Sequence, residues 1–447
     1  MALAAKSGFK GAAIRPPATA AQRRLWAAEQ LTEGSGEYNV PVALRLHGPL
    51  DTPALLRALH ALLTRHESLR STFDVGQGGA LRWAARAPEE FPVRQRDFSR
   101  EADPVAAAIG FADDLAWRPF DLGREVLRIG LLRLADDDHL LVCVGHHVVF
   151  DDWSVAVLFR ELEVLYALAV RGAALSKVLP TLTYGYTDLS LDERRNLTRG
   201  RLDDQLAYWR DHLADAPALR LPTDGPRPTG HTTQAGRHRF TISAALTARL
   251  TEVGRSSRAT LFMTLLTGFH TLLRQWTGQT DITVGTLVTG RTTPEREALI
   301  TCMVNTLAIR STAPREATFA QLLAEVRERT LSAFAHQDAP IDEVVARLPN
   351  RGGRPLVQVM FEFQNTTMDV AALHGGAGDV PTLEGLRTVA QPFARLTARY
   401  DLELAVGTTP DGLVASIVHP TDLFTEHTVA ALAEDYRAVL RSVAAAD

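Results

Sequence analysis

The sequence predicts an α/β protein built from two similar halves, and three observations carry that expectation. With 447 residues, 46% of them hydrophobic, the chain exceeds what one compact core holds. Apolar runs of strand length alternate with amphipathic runs of helix length in both halves. A Pro- and Gly-rich stretch, 213–236, divides the two. The expected organisation is a flexible leader (1–17), an N-terminal lobe (18–212), a connection (213–236) and a C-terminal lobe (237–447). The halves share a pattern but no residue-level repeat, so a duplicated lobe is suggested only by grammar.

In the first half, Thr19 is placed to cap a helix through Gln22, Leu25 and Trp26 to Leu31. Residues 38–46 alternate as a strand. Thr52-Pro53 opens a second helix, with Leu55, Leu56, Leu59, Leu62 and Leu63 on one face. RHESLRSTFDV returns to strand. Residues 126–134 and 140–147 read as strands around the turn Asp136-Asp137-Asp138, and 153–170 as a helix capped by Asp152 or Ser154. The second half repeats the alternation. Strand 237–243 precedes helices near 244–254 and 259–276, then strands 281–289 and 303–310. A capping box, Thr318-x-x-Gln321, opens the next helix. Strand 356–364, a hairpin of 399–406 and 412–419 around Pro410-Asp411-Gly412, and a helix over 425–443 complete the chain.

Composition removes several function classes. The formal charge is -4, with no Lys/Arg cluster of the kind that tracks a phosphate backbone, which argues against nucleic acid. No run is apolar and long enough for a membrane span, and the first residues lack the apolar core of a secretory signal. The two cysteines, Cys143 and Cys302, lie in separate apolar runs and form neither a disulfide framework nor a CxxC site, so a cytoplasmic setting is expected. GxSxG, GxGxxG opening a helix after a strand, and GxxxxGK[ST] are all missing, so neither a serine nucleophile nor a nucleotide cofactor is indicated.

The segment that asks for chemistry is GHHVVFDDWS, 145–154, at the end of an apolar run. Adjacent strand residues point to opposite faces, so His146 and His147 cannot both face one site. That argues against a two-histidine metal centre. One imidazole turns inward and needs partners. The other, at the strand end, reaches open space and can accept a proton near neutrality. Asp151 is placed to fix the loop by pairing with an arginine.

HHxxxD followed by WS resembles the active-site motif of condensation domains from nonribosomal peptide synthetases, usually HHxxxDG. AAQRRLW (20–26), RHESLRSTF (65–73), TYGYTDLS (183–190), MVNTLAIR (303–310), HQDAPIDEV (336–344) and RPLVQVMFEFQN (354–365) resemble that family's other motifs, in order, over nearly the whole chain. The resemblance implies two chloramphenicol-acetyltransferase-like lobes in a V-shaped pseudo-dimer with a central tunnel. It implies amide-bond formation between thioesters carried on the phosphopantetheine arms of donor and acceptor peptidyl carrier proteins. The chain would bind no cofactor or metal of its own and would act as a monomer, beside adjacent synthetase domains.

By resemblance, His147 is the catalytic base or positioning group and His146 is structural. Asp151 forms a buried ion pair with Arg70, or with Arg291 as the second candidate. Asn305 either lines the tunnel or makes a strand-end hydrogen bond. Tyr186 and Asp188 serve packing and capping, and Trp153 anchors a helix in the core. Asp152 departs from the pattern by standing where the family has glycine. Glycine there tolerates backbone angles and close approaches that a side chain blocks. A carboxylate there would also raise the pKa of His147. The Asp-Asp ending resembles related noncatalytic domains that recruit oxygenases, although those lose the second histidine. A stand-alone acyltransferase using a carrier or coenzyme A donor is the remaining alternative.

Overall fold

The computed structural model describes residues 15–31, 35–76, 78–226, 234–349, 355–364 and 380–445. Most of the expected leader and both ends of the last motif lie outside them.

The chain forms two compact units that do not divide it at a single point. The first comprises Met1–Arg201, Arg291–Met303 and Met368–Phe393; the second comprises Leu202–Gly290, Val304–Thr367 and Ala394–Asp447. Sequence pattern placed one linear connection at 213–236. The units instead exchange segments, because two pieces of the second half find their hydrogen-bond partners in the first unit.

In the first unit the strands are β1 (Asn39–His47), β2 (Ser71–Val75), β3 (Leu81–Ala85), β4 (Val93–Asp97), β5 (Leu127–Ala135) and β6 (Asp138–His146). β1, β6, β5 and β4 form one sheet, which also takes in the short segment Arg387–Ala390, antiparallel to β1. β2 and β3 make a separate ribbon. β1 and β6 are buried along almost their whole length on both faces, as the apolar run of β6 suggested but not on alternate residues as periodicity suggested for β1. A central strand has no solvent face and therefore no polar alternation.

Pro41 sits inside β1 without breaking the ladder. Backbone groups of β1 alternate in direction, and the Ala43 carbonyl accepts from Gln391 N–H on the side away from β6. Pro41 shares that side, three residues before the pairing with 387–390 begins at Leu44, so its missing N–H leaves no gap.

The helices of this unit are α1 (Ala20–Leu31), α2 (Thr52–Arg65), α3 (Pro104–Trp117), α4 (Asp152–Val170) and α5 (Tyr186–Thr198). Thr19 and Gln22 cap α1 reciprocally, with Thr19 N–H donating to Gln22 Oε1 at 3.0 Å and Gln22 N–H to Thr19 Oγ1 at 3.3 Å. Asp51 caps α2 through Ala54 N–H at 2.8 Å. α3, capped by Asp103 with Pro104 at its first position, packs on β5, β1 and β6.

The second unit holds a six-stranded sheet. Its order is Ala235–Ser243, Gly412–Pro420, Leu402–Thr409, Val359–Gln364, Ile282–Val288 and Asn305–Ser311. Helices Ala244–Ser256, Leu261–Thr277, Phe319–Ala335 and Glu426–Ala445 pack on it and on one another. The Thr318–Gln321 capping box forms as expected, with Thr318 N–H donating to Gln321 Oε1 at 2.8 Å. The hairpin turns at Gly412, whose φ of 128° suits glycine.

Candidate functional site

β6 delivers the motif. Its register sets His146 opposite Asn39, and the ladder runs one residue further: His146 N–H donates to the Val126 carbonyl and His147 N–H to the Tyr38 carbonyl, both at 2.8 Å. The chain then turns, closed by Val149 N–H to the His146 carbonyl at 3.0 Å. Phe150 folds back over the end of the strand. A Cβ on Gly145 would stand 2.5 Å from the Phe150 ring, so glycine at 145 is what admits the ring.

The two histidines separate as strand geometry requires. His146 is wholly buried, beside the rings of Tyr38 and Phe120. Its Nδ1 accepts Val148 N–H at 3.0 Å, and its Nε2 lies 3.3 Å from the Glu29 carboxylate. His147 is only half-buried.

Asp151 is 1% exposed and carries five polar contacts. Oδ1 accepts Ser154 N–H at 2.8 Å and the Ser154 hydroxyl at 2.6 Å, which makes Asp151 the N-cap of α4. The expected caps, Asp152 and Ser154, do not fill that role; Asp151 alone has the extended backbone and short acceptor a cap needs. Arg291 closes a fork on the same carboxylate, Nη1 to Oδ2 at 2.8 Å and Nη2 to Oδ1 at 2.9 Å, and Met303 N–H adds 3.1 Å to Oδ2. Burial pushes the Asp151 pKa up. The adjacent guanidinium and the other donors outweigh it, and the group is held below the ordinary carboxylate range.

The partner is therefore Arg291 and not Arg70. Arg70 directs its guanidinium to the carbonyls of Leu63, 2.5 Å away, and Arg86. It lies one turn beyond the end of α2, where the last-turn carbonyls need donors.

Asp152 is exposed in the first helical turn, where a carboxylate favours the helix dipole. Among the described residues the non-glycine with positive φ is Arg258. Position 152 thus imposes no left-handed backbone, and aspartate in place of glycine strains nothing there. Trp153 is not a core anchor. It is half-buried, its indole N–H donates to the Glu297 carbonyl at 2.9 Å, and Arg291 lies 5.7 Å over its ring.

Tyr186 is buried and bonded to Gln22, and burial raises its pKa well above the usual phenol value. Asp188 accepts Gly185 N–H at 2.8 Å at the start of α5. In the second unit, Asn305 uses its whole amide on backbone. Nδ2 donates to the carbonyls of Gln337 and Ala339 at 2.9 and 2.8 Å, and Oδ1 accepts N–H groups of Thr306 and Ile341 at 3.0 and 3.1 Å. That is the strand-end reading, with no donor or acceptor left over for a ligand.

Among the described residues no group of three or more His, Cys, Asp or Glu could hold a metal ion. No described helix is long and apolar enough to cross a membrane. Sequence reasoning missed Glu29 and the Gly145–Phe150 contact. The available signals were a carboxylate in phase with Gln22 and Leu25 on α1, and a glycine interrupting an otherwise apolar strand.

Residues 15–446 match the family model for the condensation domain. The chain is 38% identical over 438 residues to a component of the linear gramicidin synthase of Brevibacillus parabrevis, covering 96% of this chain and 6% of that protein. It is 37% identical over 438 residues to the phosphinothricin tripeptide synthetase PhsC of Streptomyces viridochromogenes, covering 96% of this chain and 39% of that protein. The chain thus spans well under half the length of these relatives. Among solved structures, the X-domain from teicoplanin biosynthesis superposes with a TM-score of 0.84 at 28% identity, covering 98% of this chain and 96% of that one. The first condensation domain of the calcium-dependent antibiotic synthetase shares the fold, with a TM-score of 0.76 at 22% identity and 97% of each chain covered. The architecture is accordingly the chloramphenicol-acetyltransferase-like α/β fold, and the chain belongs to the condensation domains of nonribosomal peptide synthetases, which form amide bonds by acyl transfer.

Proposed function

We propose that this chain transfers an acyl or peptidyl group from a thioester on a donor carrier protein to the amine of an aminoacyl thioester on an acceptor carrier, with His147 meeting the amine. The nitrogen attacks the thioester carbonyl, the C–N bond forms and the C–S bond breaks. His147 takes the proton released by the amine, or holds the amine in line, and the proton ends on the departing thiol. The phosphopantetheine arms belong to the carriers, and in this reading the chain supplies no prosthetic group of its own. Tethered reactants give positioning most of the leverage, since well-oriented groups reach effective molarities of about 10⁵ M or more. General-base help adds roughly 10²–10⁴-fold. A cytoplasmic setting goes with two buried, unlinked cysteines.

The observation that carries this reading is the unequal pair of histidines. His146 is wholly buried, with both ring nitrogens near polar partners, whereas His147 keeps part of its surface exposed. The supporting group, Asp151 with Arg291 and Ser154, fixes the loop between His147 and α4 and is too buried to touch a substrate.

The test is intact-mass analysis of a loaded donor carrier and a loaded acceptor carrier incubated with the protein. The acceptor gains the donor's acyl mass and the donor loses it; an acceptor of unchanged mass contradicts the proposal. A second reading, a noncatalytic recruitment domain, draws on the likeness to the teicoplanin X-domain. That X-domain is also solved in complex with OxyB, and the chain is 27% identical to it there. Recruitment predicts no mass transfer and binding to an oxygenase. The retained His147 favours catalysis.

A further inference from the structure

His146 is wholly buried, and one of its contacts decides its chemistry. Val148 N–H can only donate, so His146 Nδ1, 3.0 Å away, must be bare of hydrogen. A neutral imidazole then carries its hydrogen on Nε2, which faces the Glu29 carboxylate at 3.3 Å. A ring protonated on both nitrogens, or on Nδ1 alone, would set two hydrogens against each other at Val148.

Glu29 is 5% exposed on the same face of α1 as Gln22 and Leu25, where a carboxylate is costly without a partner. The ring is gripped from the other sides as well. Phe120 meets it edge-on with centroids 5.8 Å apart, and the Arg128 guanidinium sits 3.8 Å from the centroid of the Phe120 ring. Arg128 is itself fixed by Glu125 at 2.6 Å and by the carbonyls of Arg118 and Pro119 at 2.6 and 2.7 Å.

We propose that Glu29 is a positioning residue for acyl transfer, acting through His146. By accepting the Nε2 hydrogen it selects the tautomer whose Nδ1 can receive Val148 N–H. That bond shapes the turn on which His147 is presented. Glu29 touches neither substrate nor reacting atoms. The inference rests on the assignment of His147 above, and it gives the first histidine of the pair a defined protonation pattern instead of a filler role.

Three measurements test it. Nitrogen-15 NMR of selectively labelled histidine, assigned with a His146→Gln control, reads the tautomer without turnover. The expected result is hydrogen on Nε2 of His146, and hydrogen on Nδ1 overturns the proposal even if every variant folds. In the carrier assay, corrected for folded fraction, Glu29→Leu is expected to lower kcat tenfold or more with KM within twofold. Glu29→Gln, which keeps an acceptor oxygen, is expected to stay within threefold of the parent. Unchanged kcat in Glu29→Leu, or equal damage in both variants, contradicts the tautomer mechanism. His147→Ala run alongside separates the two claims: full turnover there defeats the assignment of His147, while the NMR result still decides the tautomer of His146.

Discussion

Arg291 and Asp151 are 140 residues apart in sequence and form a two-pronged ion pair with side chains 0% and 1% exposed. A charge so buried depends on its counter-charge. Removing one partner of such a pair typically costs about 3–5 kcal/mol, whereas replacing both by apolar groups of similar volume is often neutral. Asp151→Leu and Arg291→Met are each expected to lower the urea midpoint strongly, and the double variant to recover most of the loss. Additive losses in the double-mutant cycle would show that the pair is not the unit of stability.

Gly145 is required by contact and not by backbone angle. Its added Cβ would meet three atoms of Phe150 at 2.5–2.8 Å. Overpacking of this kind costs about 1–3 kcal/mol. Gly145→Ala is expected to lower thermal stability and turnover together, and Phe150→Leu in that background to restore part of both. Gly145→Ala with an unchanged melting temperature would contradict the packing account.

Acid sensitivity should trace to His270. Burial, with Arg274 adding to it, pushes its pKa down to about 3 from the ordinary 6.5, and its Nδ1 lies 2.9 Å from the Ser311 hydroxyl. Between those values the unfolded chain binds a proton that the folded chain refuses. Stability is therefore complete above pH ~6.5 and falls as pH drops toward ~3, by on the order of 5 kcal/mol at the limit. His270→Gln is expected to flatten the slope of unfolding free energy against pH between pH 6.5 and 4. An identical slope in the variant would assign the acid loss elsewhere, for instance to Asp151, whose depressed pKa places its own contribution below pH ~4.

Asn305 brackets the backbone of 337–341 with three hydrogen bonds and accepts a fourth from Thr306 N–H. Asn305→Ala is expected to destabilise by about 1–3 kcal/mol. Asn305→Asp should do no better, because it keeps the acceptors but turns oxygen against two carbonyls. Urea denaturation checks both, and an aspartate variant as stable as the parent would exclude the donor role.

What the letters revealed depended on range. Helix caps are local, and the Thr19 cap and the Thr318–Gln321 capping box were legible as written. The opposed histidines followed from strand geometry alone. The Arg387–Ala390 strand was invisible: four residues acquire extended pairing only by meeting β1 some 340 positions away in sequence. α3 escaped notice although Asp103-Pro104 announced it, since its Ala-rich body has little polar contrast. The choice of Arg291 over Arg70 could not be read either. Both are arginines near a motif, and only the tertiary path of 291–303 brings one of them to Asp151.

The central claim is that the His147 imidazole meets the amine. Its most direct measurement is the single-turnover rate of amide formation between loaded carriers for the parent chain and for His147→Ala, each shown to be folded by its melting temperature. The account predicts a fall of about 10²-fold or more with stability unchanged. A variant that forms the amide at the parent rate would contradict it.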